Sequence, residues 1–387
     1  MFICGIDVAK YQHVAQILDN KGQAQGKVFT VKNTAAGFAE LLEVLQGLDG
    51  PVTVGLEATG HYWLALYEAM TETGYPVVVL NPMQVAAYRR SGIRKVKNDS
   101  KDAWWVADYV RIANLPASEQ ALPSLLQMRE LSRFRYRLME QVGNCKRKVI
   151  SILDRVFPEY ETLFSSVFLQ SSRALLKEAA TAQQIADFDL AELSQLLKET
   201  SRGRFGTEKA TSIQDAARQS VGVSFLTNAI HIEMRCLLDQ MDLLQEQIHL
   251  IDQSIADLMD QIPQFITTIP GVGPVTGAAI LGEIGDVQRF ESSDKLVAYA
   301  GIDATVYQTG QFQAADTHMS KRGSPYLRHA LWQAASMAIQ YEPELKAFYQ
   351  SKRDQGKHHG TAIGAVCRKL LVRIFIILKE QRSYIIR

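Results

Sequence analysis

Four carboxylates occupy positions where they could act together. Asp7 and Glu57 each stand at the end of a short apolar run, in FICGID and VTVGLE, while Asp99 and Asp102 open a longer apolar-periodic run. A charge on a buried strand is unfavourable unless it is paired or bound to a cation. Acids on neighbouring strand ends and at an adjacent helix start converge on one crevice of an α/β sheet, where they repel one another without cations. The pattern predicts a Mg²⁺ site for phosphoryl transfer at Asp7, Glu57, Asp99 and Asp102.

The two aspartates in the stretch KNDSKDAWWVADYV also have a structural explanation. Asp99 is a suitable helix N-cap, and Asp102, three residues later, would complement the helix dipole. At that spacing the two side chains share one helix face, so capping and metal binding are compatible roles. Asp108 follows on a different face, and we expect it to be structural.

The elements that must position these acids alternate between strands and helices. Apolar runs predict strands at 2–8, 13–19, 27–31, 52–59 and 76–80, and helical periodicity predicts helices at 33–48, 59–74, 83–91 and from 99 onward. The turn-rich stretch NKGQAQG between the second and third runs indicates a hairpin. A mixed sheet that starts with a hairpin and is flanked by helices resembles the ribonuclease H-like fold. The expected fold class is therefore α/β, followed by an all-α part.

Long helical patterns fill the middle of the chain. Leu125–Asp154 interleaves basic with apolar residues, and its predicted nucleic-acid contacts are Arg133, Arg137, Lys146, Arg147 and Lys148. A heptad seam runs from Ile230 to Ile262, where Pro263 ends the helix. The seam fits an intermolecular coiled coil or an intramolecular hairpin with Leu125–Asp154. We expect it to take part in dimer formation.

The C-terminal part carries two further candidate nucleic-acid contacts. FITTIPGVGPVTGAAILGEIG predicts a helix-hairpin-helix, in which Gly271 and Gly273 let backbone N–H groups point at a phosphate. The alternative is a helical corner that only packs. The segment MSKRGSPYLRHAL predicts phosphate contacts from Lys321, Arg322 and Arg328, unless it is merely a solvated basic helix.

Charge is unevenly distributed over the 387 residues, although 42 Lys and Arg nearly balance 41 Asp and Glu. Gln84–Ile150 and His318–Arg387 are basic, whereas Ser151–Asp260 is acidic. Basic segments are typical of a phosphate-backbone partner, but a solvated basic face has the same composition. We expect a cytoplasmic protein without a signal peptide or membrane span, because the apolar runs are short. The four separated cysteines favour neither a disulfide framework nor a zinc site.

The order of the motifs resembles that of a known family. GID near the start is followed by EATG, KNDSKDA, IPGVG, YAGI with YQTG, and MSKRG with LRHAL. This order resembles the transposases of the insertion sequence 110 family, which are bridge-RNA-guided DNA recombinases and include the 1111 subgroup. The resemblance covers nearly the whole chain and is weakest over 155–224. It implies three domains, at residues 1–124, 125–262 and 263–387.

The resemblance also implies roles for the candidate site residues. The first domain would be RuvC-like, with an Asp-Glu-Asp-Asp (DEDD) site for two Mg²⁺ ions at Asp7, Glu57, Asp99 and Asp102. A serine of the C-terminal transposase domain would attack DNA to give a 5′-phosphoserine intermediate. The active site would combine acids of one subunit with the serine of another. The implied partners are a guide (bridge) RNA, donor and target double-stranded DNA, and further copies of the chain in a dimer or tetramer.

One position departs from the family. In VYQTG, Thr309 stands where the family has its serine. We expect the Thr309 hydroxyl to be the nucleophile, because threonine nucleophiles exist, although the methyl group crowds the attack and restricts χ1. The alternatives are an impaired copy, or another hydroxyl acting instead, from Ser320, Ser324 or Tyr307.

Two other functions are compatible with the same residues. A RuvC-like, structure-specific nuclease would use the four acids with water, and it would leave hydrolysed ends without a protein–DNA adduct. A non-catalytic nucleic-acid-binding protein would keep the acids for structural reasons, and it would not depend on Mg²⁺.

Overall fold

The computed structural model of the chain describes residues 1–58, 60–80, 82–91, 99–115, 117, 123–303, 308–309, 312–313 and 319–385. At 83, 84, 91, 99, 100, 308, 309, 312 and 313 only the backbone is described. The chain divides into two compact units, Met1–Gln120 and Ala121–Arg387. Within the described ranges, no helix combines the length and the apolar character needed to cross a bilayer.

The described part of the first unit is a five-stranded sheet with helices on both faces. Its strands are β1 (Phe2–Asp7), β2 (Gln12–Asp19), β3 (Phe29–Lys32), β4 (Val52–Glu57) and β5 (Val77–Leu80). Its helices are α1 (Ala35–Gln46), α2 (Leu64–Glu72), α3 (Pro82–Ser91) and α4 (Asp99–Ala113). The strand order is β3-β2-β1-β4-β5, with antiparallel pairing among the first three strands and parallel pairing of β4 with both β1 and β5. The predicted α/β character of this part is confirmed.

Each face of the sheet has its own apolar layer, because successive strand residues point to opposite sides. Cys4 and Ile6 of β1 belong to a core that includes residues of α1 and α2. Ile3 belongs to a second core, with Val106 and Val110 of α4. The odd-numbered residues of β1 therefore face α4.

Two strand glycines allow α4 to lie close against the sheet. A Cβ at Gly5 would lie 2.3 Å from the backbone nitrogen of Ala107, and one at Gly55 would lie 2.8 Å from a methyl carbon of Val110. Protein interiors are packed too densely to absorb contacts of this kind without a shift of the backbone. The distance between α4 and the sheet therefore depends on glycine at both positions.

The second unit is helical in its described part, apart from one short hairpin. Its helices are α5 (Pro123–Val156), α6 (Gln170–Glu178), α7 (Ala182–Ala186), α8 (Leu190–Thr200), α9 (Thr207–Arg218), α10 (Thr227–Asp260), α11 (Pro274–Ile284), α12 (Ser293–Ala300), α13 (Pro325–Tyr341), α14 (Pro343–Asp354) and α15 (His359–Glu380). The hairpin consists of β6 (Gln308–Thr309) and β7 (Phe312–Gln313). The predicted all-α character of the later part of the chain is confirmed.

The heptad seam of α10 is buried against α5 within the same chain. The buried seam residues are Ile230, Met234, Leu237, Met241, Leu244, Ile248, Ile251 and Ile255. Arg135 of α5 forms an ion pair with Asp252, with 2.5 Å between Nε and Oδ1. Farther along α5, the thiol of Cys145 lies 3.4 Å from Oε1 of Gln240, so the two helices are antiparallel. The seam therefore fits the intramolecular hairpin with α5, while a role of α10 in dimer formation stays a prediction.

The predicted boundary between 125–262 and 263–387 does not separate compact units. Helix α5 packs against α11 as well as α10, and all three contribute to one hydrophobic core. At Gly282 of α11, a Cβ would lie 2.6 Å from the backbone nitrogen of Arg129 on α5. The helical region and the C-terminal part therefore form a single unit.

Gly5→Ala tests the close packing of α4. The added methyl group must push α4 away from β1, and we expect a loss of about 2 kcal/mol or more in the free energy of unfolding. Thermal and denaturant unfolding followed by circular dichroism measures this loss. Gly47→Ala is the control, because its Cβ would meet no atom nearer than 3.5 Å. Equal stability of the two variants would contradict the close approach of α4.

Candidate active site

Asp7 and Glu57 lie next to each other at the ends of two paired strands. They are the last residues of β1 and β4, and the pair before them, Ile6 and Leu56, is in register. Each acid also lies two residues beyond a glycine that faces α4, so its side chain projects toward the α4 side of the sheet. Both carboxylates therefore lie at the ends of β1 and β4, on the face of the sheet that α4 covers.

Helix α4 brings Asp102 to the same face. The carbonyl oxygen of the next residue, Ala103, would lie 2.4 Å from a Cβ on Gly5, so this turn of α4 rests directly on β1. Asp102 is only 6% exposed, although it is charged. A carboxylate buried to this degree requires a polar or cationic partner.

That partner is Arg89 of α3, which also binds Glu57. Its Nη2 lies 2.6 Å from Oε2 of Glu57, and its Nη1 lies 3.1 Å from Oδ1 of Asp102. Glu57 is 8% exposed, so both carboxylates are almost fully buried. One guanidinium therefore bridges the end of β4 and the first turns of α4, and two carboxylates converge on a single positive charge.

Glu57 and Asp102 bring carboxylate oxygens, the donor type of a hard divalent cation, to one point. Among the described side chains, no group of three or more His, Cys, Asp or Glu is arranged to hold a metal ion. Two carboxylates are nevertheless drawn to one cation, and carboxylate oxygens are the ligands that Mg²⁺ prefers. The side chain of Asp99 lies outside the described residues. The four-acid metal site therefore stays a prediction, with Glu57 and Asp102 as its best-placed members.

Asp108 has a different environment from the other acids. Its Oδ1 accepts hydrogen bonds from Nε and Nη2 of Arg111, at 2.8 and 2.6 Å, and its Oδ2 accepts one from the Tyr88 hydroxyl at 2.7 Å. Burial and this hydrogen bond raise the pKa of Tyr88 to about 12, so the phenol remains a donor. These bonds agree with the expectation that Asp108 is structural.

Sequence reasoning missed Arg89. A single arginine in a short helix has no periodic signal, and YRRSGIRK offers several equivalent basic residues. Its neighbour Arg90 is exposed, whereas the Arg89 side chain is 24% exposed. Only the packing of α3 beside α4 distinguishes the two residues.

The segment that carries Thr309 is held at its base by backbone hydrogen bonds. The backbone N–H of Ser320 donates to the carbonyl of Asp303 at 3.0 Å, and that of Lys321 donates to the carbonyl of Gly301 at 3.0 Å. Thr309 pairs with Phe312 across the β6–β7 hairpin. The Thr309 side chain and all of Tyr307 lie outside the described residues.

The two serines considered as alternative nucleophiles have partners within the chain. The Ser320 hydroxyl donates to the carboxylate of Asp303. The Ser324 hydroxyl donates to Oε2 of Glu283 at 2.7 Å and accepts from the backbone N–H of Leu327 at 3.2 Å, which caps α13. Both hydroxyls thus have structural roles in this state of the protein.

Some of the predicted nucleic-acid contacts are exposed, and others already bind groups within the chain. The exposed residues are Arg137, Arg147, Lys148, Lys321 and Arg322. Arg133 is engaged with the buried Glu283, with distances of 2.5 and 3.0 Å. Arg328 donates to the carbonyls of Ala300 and Gly323, at 3.2 and 2.7 Å. Lys146 is half-buried, with Nζ 5.1 Å from the ring centre of Phe168.

The two glycines of the predicted helix-hairpin-helix differ in their surroundings. Gly271 has φ +89°, and a Cβ there would lie 2.5 Å from the backbone nitrogen of Ala338, so packing explains this glycine. Gly273 is the N-cap of α11, and a Cβ there would meet nothing within 4 Å. The element before this turn is only a 3-10 helix, Ile266–Thr268.

Comparison with known proteins identifies the class of the chain. A family model described as "Transposase" matches residues 4–158, which include both strand-end acids and Asp102. A second model, described as "Transposase IS116/IS110/IS902 family", matches residues 264–350, which include Thr309. Both matched segments thus carry candidate site residues of a transposase. The chain belongs to the IS110 family of transposases.

Relatives from several bacteria match almost the whole chain. The mini-circle protein of IS117 from Streptomyces coelicolor is 27% identical, over 98% of this chain and 94% of its own length. The 44.8 kDa protein of insertion element IS116 from Streptomyces clavuligerus is 24% identical, over 98% and 95%. The pilin gene-inverting protein of Moraxella bovis is also 24% identical, over 98% and 96%. The similarity therefore spans both compact units.

Arg89→Ala tests whether the two buried carboxylates need a cation. Without a divalent ion, the variant should lose about 2 kcal/mol of stability, because Glu57 and Asp102 lose the positive charge that they share. MgCl₂ should raise the melting temperature of the variant more than that of the wild type. Thermal unfolding in EDTA and in MgCl₂ measures both effects.

Arg90→Ala serves as the matched control, because Arg90 is the exposed neighbour on the same helix. It should behave as the wild type does in both buffers. If Arg89→Ala also matches the wild type in both, the carboxylates do not depend on a shared cation.

Proposed function

We propose that this chain is the DNA strand transferase of an insertion element, which cuts and rejoins DNA through a covalent protein–DNA intermediate and is directed by a guide RNA. The observation that carries the proposal is the convergence of Glu57 and Asp102 on one cation, at the edge where β1 and β4 end. Membership in a transposase family supports it. A relative named as a pilin gene-inverting protein also supports DNA rearrangement as the outcome.

The first unit is proposed to be a ribonuclease H-like, RuvC-like domain. The sheet order β3-β2-β1-β4-β5 supports this assignment, because three antiparallel strands come first and the later strands add in parallel. In such a sheet the ends of the two central strands form one edge, where acids from both strands can act together. Asp7 and Glu57 occupy that edge.

The residues proposed to hold Mg²⁺ are Asp7, Glu57, Asp99 and Asp102. When bound, the ions supply positive charge that stabilises the phosphoryl group during transfer. Arg89 would then give up its two carboxylates, and its guanidinium could turn toward a DNA phosphate, for which its planar fork is well suited. In this proposal Mg²⁺ replaces the guanidinium of Arg89 as the positive charge beside Glu57 and Asp102.

Thr309 is proposed as the nucleophile. Its Oγ attacks the phosphorus of one phosphodiester, the bond from phosphorus to the 3′ oxygen breaks, and the 3′ oxygen takes up a proton as the hydroxyl loses one. The DNA remains attached to the protein through its 5′ phosphate, so a second 3′ hydroxyl can reverse the step on a new strand. The family resemblance favours Thr309 over Ser320 and Ser324, because Thr309 stands directly before a glycine, where the family has its serine.

The partners proposed for this activity are guide RNA and donor and target DNA. The exposed Arg137, Arg147 and Lys148 on α5 are suited to phosphate contacts, as are Lys321 and Arg322 before α13. Guidance by RNA follows from the family resemblance. Arg133 and Arg328 are less suited, because their guanidinium groups already bind groups of the chain.

Assembly into a dimer or tetramer remains part of the proposal, since the family resemblance implies a site shared between copies. The α10 seam is not available for it, because α5 covers that face. A second copy must therefore bind elsewhere. The mass of the protein in solution, with and without nucleic acid, tests this part.

A non-catalytic nucleic-acid-binding function is the second candidate. The ion pairs of Arg89 favour it, because they satisfy two of the acids without any metal. It predicts that Mg²⁺ changes neither stability nor activity on DNA.

Thr309→Ala should abolish the covalent protein–DNA adduct, because it removes the attacking oxygen. Thr309→Ser should retain or raise adduct formation, since serine keeps the hydroxyl and removes the crowding methyl group. A denaturing gel of protein, RNA, Mg²⁺ and a nicked suicide DNA measures the adduct. Tyr307→Phe is the control and should form as much adduct as the wild type. An adduct with Thr309→Ala would refute the assignment.

Asp102→Asn should abolish cleavage, with a loss of about a thousandfold or more, because it removes a carboxylate proposed to hold the Mg²⁺ that stabilises the reacting phosphate. RNA binding and the circular dichroism spectrum should change little. Asp49→Asn is the surface control, since Asp49 is exposed in the same unit. Cleavage by Asp102→Asn at the wild-type rate would exclude a role for this carboxylate in the reaction.

A further inference from the structure

A cavity of about 460 Å³ lies in the second unit, between α5, α11 and α13. Three rings form part of its wall: Tyr136 on α5, with Tyr326 and His329 on α13. The centre of the Tyr136 ring lies 5.3 Å from that of Tyr326 and 4.8 Å from that of His329, and both pairs meet edge to face. The volume is in the range of sites that take one small organic molecule or one nucleotide.

Gly143 lines this cavity from the interior of α5. Glycine is among the weakest helix formers, so its presence within a long helix needs a reason. At Gly282, close contact with α5 supplies such a reason. At Gly143 the nearest atom to an added Cβ would be Nη1 of Arg147, at an ordinary contact distance of 3.5 Å. Packing against the described residues does not require glycine here, and the missing side chain leaves space in the cavity.

Polar groups are placed around the aromatic wall. Among the described residues, the Ser132 hydroxyl oxygen has no hydrogen-bond partner, and it is buried behind the cavity wall. The side chains of Asn144 and Gln333 also line the cavity, although the Asn144 carbonyl oxygen already accepts a hydrogen bond from Arg147. Partial burial lowers the pKa of His329, opposed by the nearby Glu140, although part of the ring is exposed to solvent. Aromatic faces with amide and hydroxyl groups are suited to an uncharged, planar heterocycle.

Charge argues against a bare phosphate as the occupant. The carboxylate of Glu140 lines the cavity and would repel an anion, whereas that of Glu283 is already paired with Arg133. Arg135 is bound to Asp252, which leaves the exposed Arg147 at the cavity as the cation suited to the backbone of a bound nucleotide. The cavity therefore offers aromatic rings against which a base can pack and the guanidinium of Arg147 for the phosphate of the same nucleotide.

We infer that this cavity binds one unstacked nucleobase of the nucleic acid on which the protein acts, with the base against Tyr136 and His329. The inference rests on the proposed function, because it requires a nucleic-acid partner. The base can come from a DNA strand or from the guide RNA, since both offer the same heterocycles. Stacking of a base on aromatic side chains tolerates different sequences and adds affinity at each nucleotide.

Photo-crosslinking of the full-length wild-type protein tests the site directly. One arm uses duplex DNA of the element's junction with 4-thiothymidine, and the other uses the RNA transcribed from the element's non-coding flanks with 4-thiouridine. After near-ultraviolet irradiation, mass spectrometry maps the attached peptides. We expect crosslinks within Tyr136–Arg147 or Tyr326–Gln333 in one arm, and that arm identifies the source of the base.

Crosslinks that form only on other peptides would overturn the inference and leave the proposed function intact. Failure of both nucleic acids to bind would overturn the proposed function together with the inference. The two failures are therefore distinguishable in one experiment.

Gly143→Leu provides a second, independent measurement. The added side chain fills the cavity, and we expect about a tenfold loss of affinity for the nucleic acid that crosslinks, which is the size of one lost base stack. Gly143→Ala should cause a smaller loss. The melting temperature of both variants should equal or exceed that of the wild type, because both residues are better helix formers than glycine.

Gln141→Leu is the matched control, since it places the same side chain on an exposed face of α5. It should bind as the wild type does. Wild-type affinity of a folded Gly143→Leu variant would overturn the inference. If the Gly143→Leu variant loses stability, the inference is accepted or rejected on the crosslinks of the wild-type protein alone.

Discussion

The close approach of α4 to the sheet is the constraint on which the candidate active site depends. Gly5 and Gly55 have no side chains to hold the helix away from β1 and β4. Asp102 therefore reaches the face on which Asp7 and Glu57 end their strands. A larger residue at either glycine would displace the helix and move Asp102 away from the strand ends. The two glycines are not candidate site residues, but the position of Asp102 relative to Asp7 and Glu57 depends on them.

Close packing brings an electrostatic problem, because converging buried carboxylates repel one another. Arg89 solves it in this state by binding Glu57 and Asp102 with one guanidinium. A divalent cation would supply positive charge at the same carboxylates, where the proposed reaction breaks a phosphodiester. We propose that the ion pair and a metal site are two states of these carboxylates.

The sequence allowed much of this arrangement to be predicted, and the remainder depends on packing. Asp7 and Glu57 end apolar runs, so their strand-end positions follow from the sequence. Glycines inside strand patterns signal a close backbone approach, although they do not identify the helix that makes it. The heptad seam of α10 indicated a buried helix face, but a heptad pattern does not distinguish a partner within the chain from one in another copy. Arg89 carries no local signal at all.

The central claim is that Glu57 and Asp102 form a site that holds either Arg89 or a divalent metal. Anomalous diffraction from crystals of the protein soaked in MnCl₂ tests it most directly. We predict an anomalous peak within coordination distance of both carboxylates, with the guanidinium of Arg89 turned away from them. Ion pairs of Arg89 that persist at saturating Mn²⁺, without a peak at the strand ends, would contradict the account.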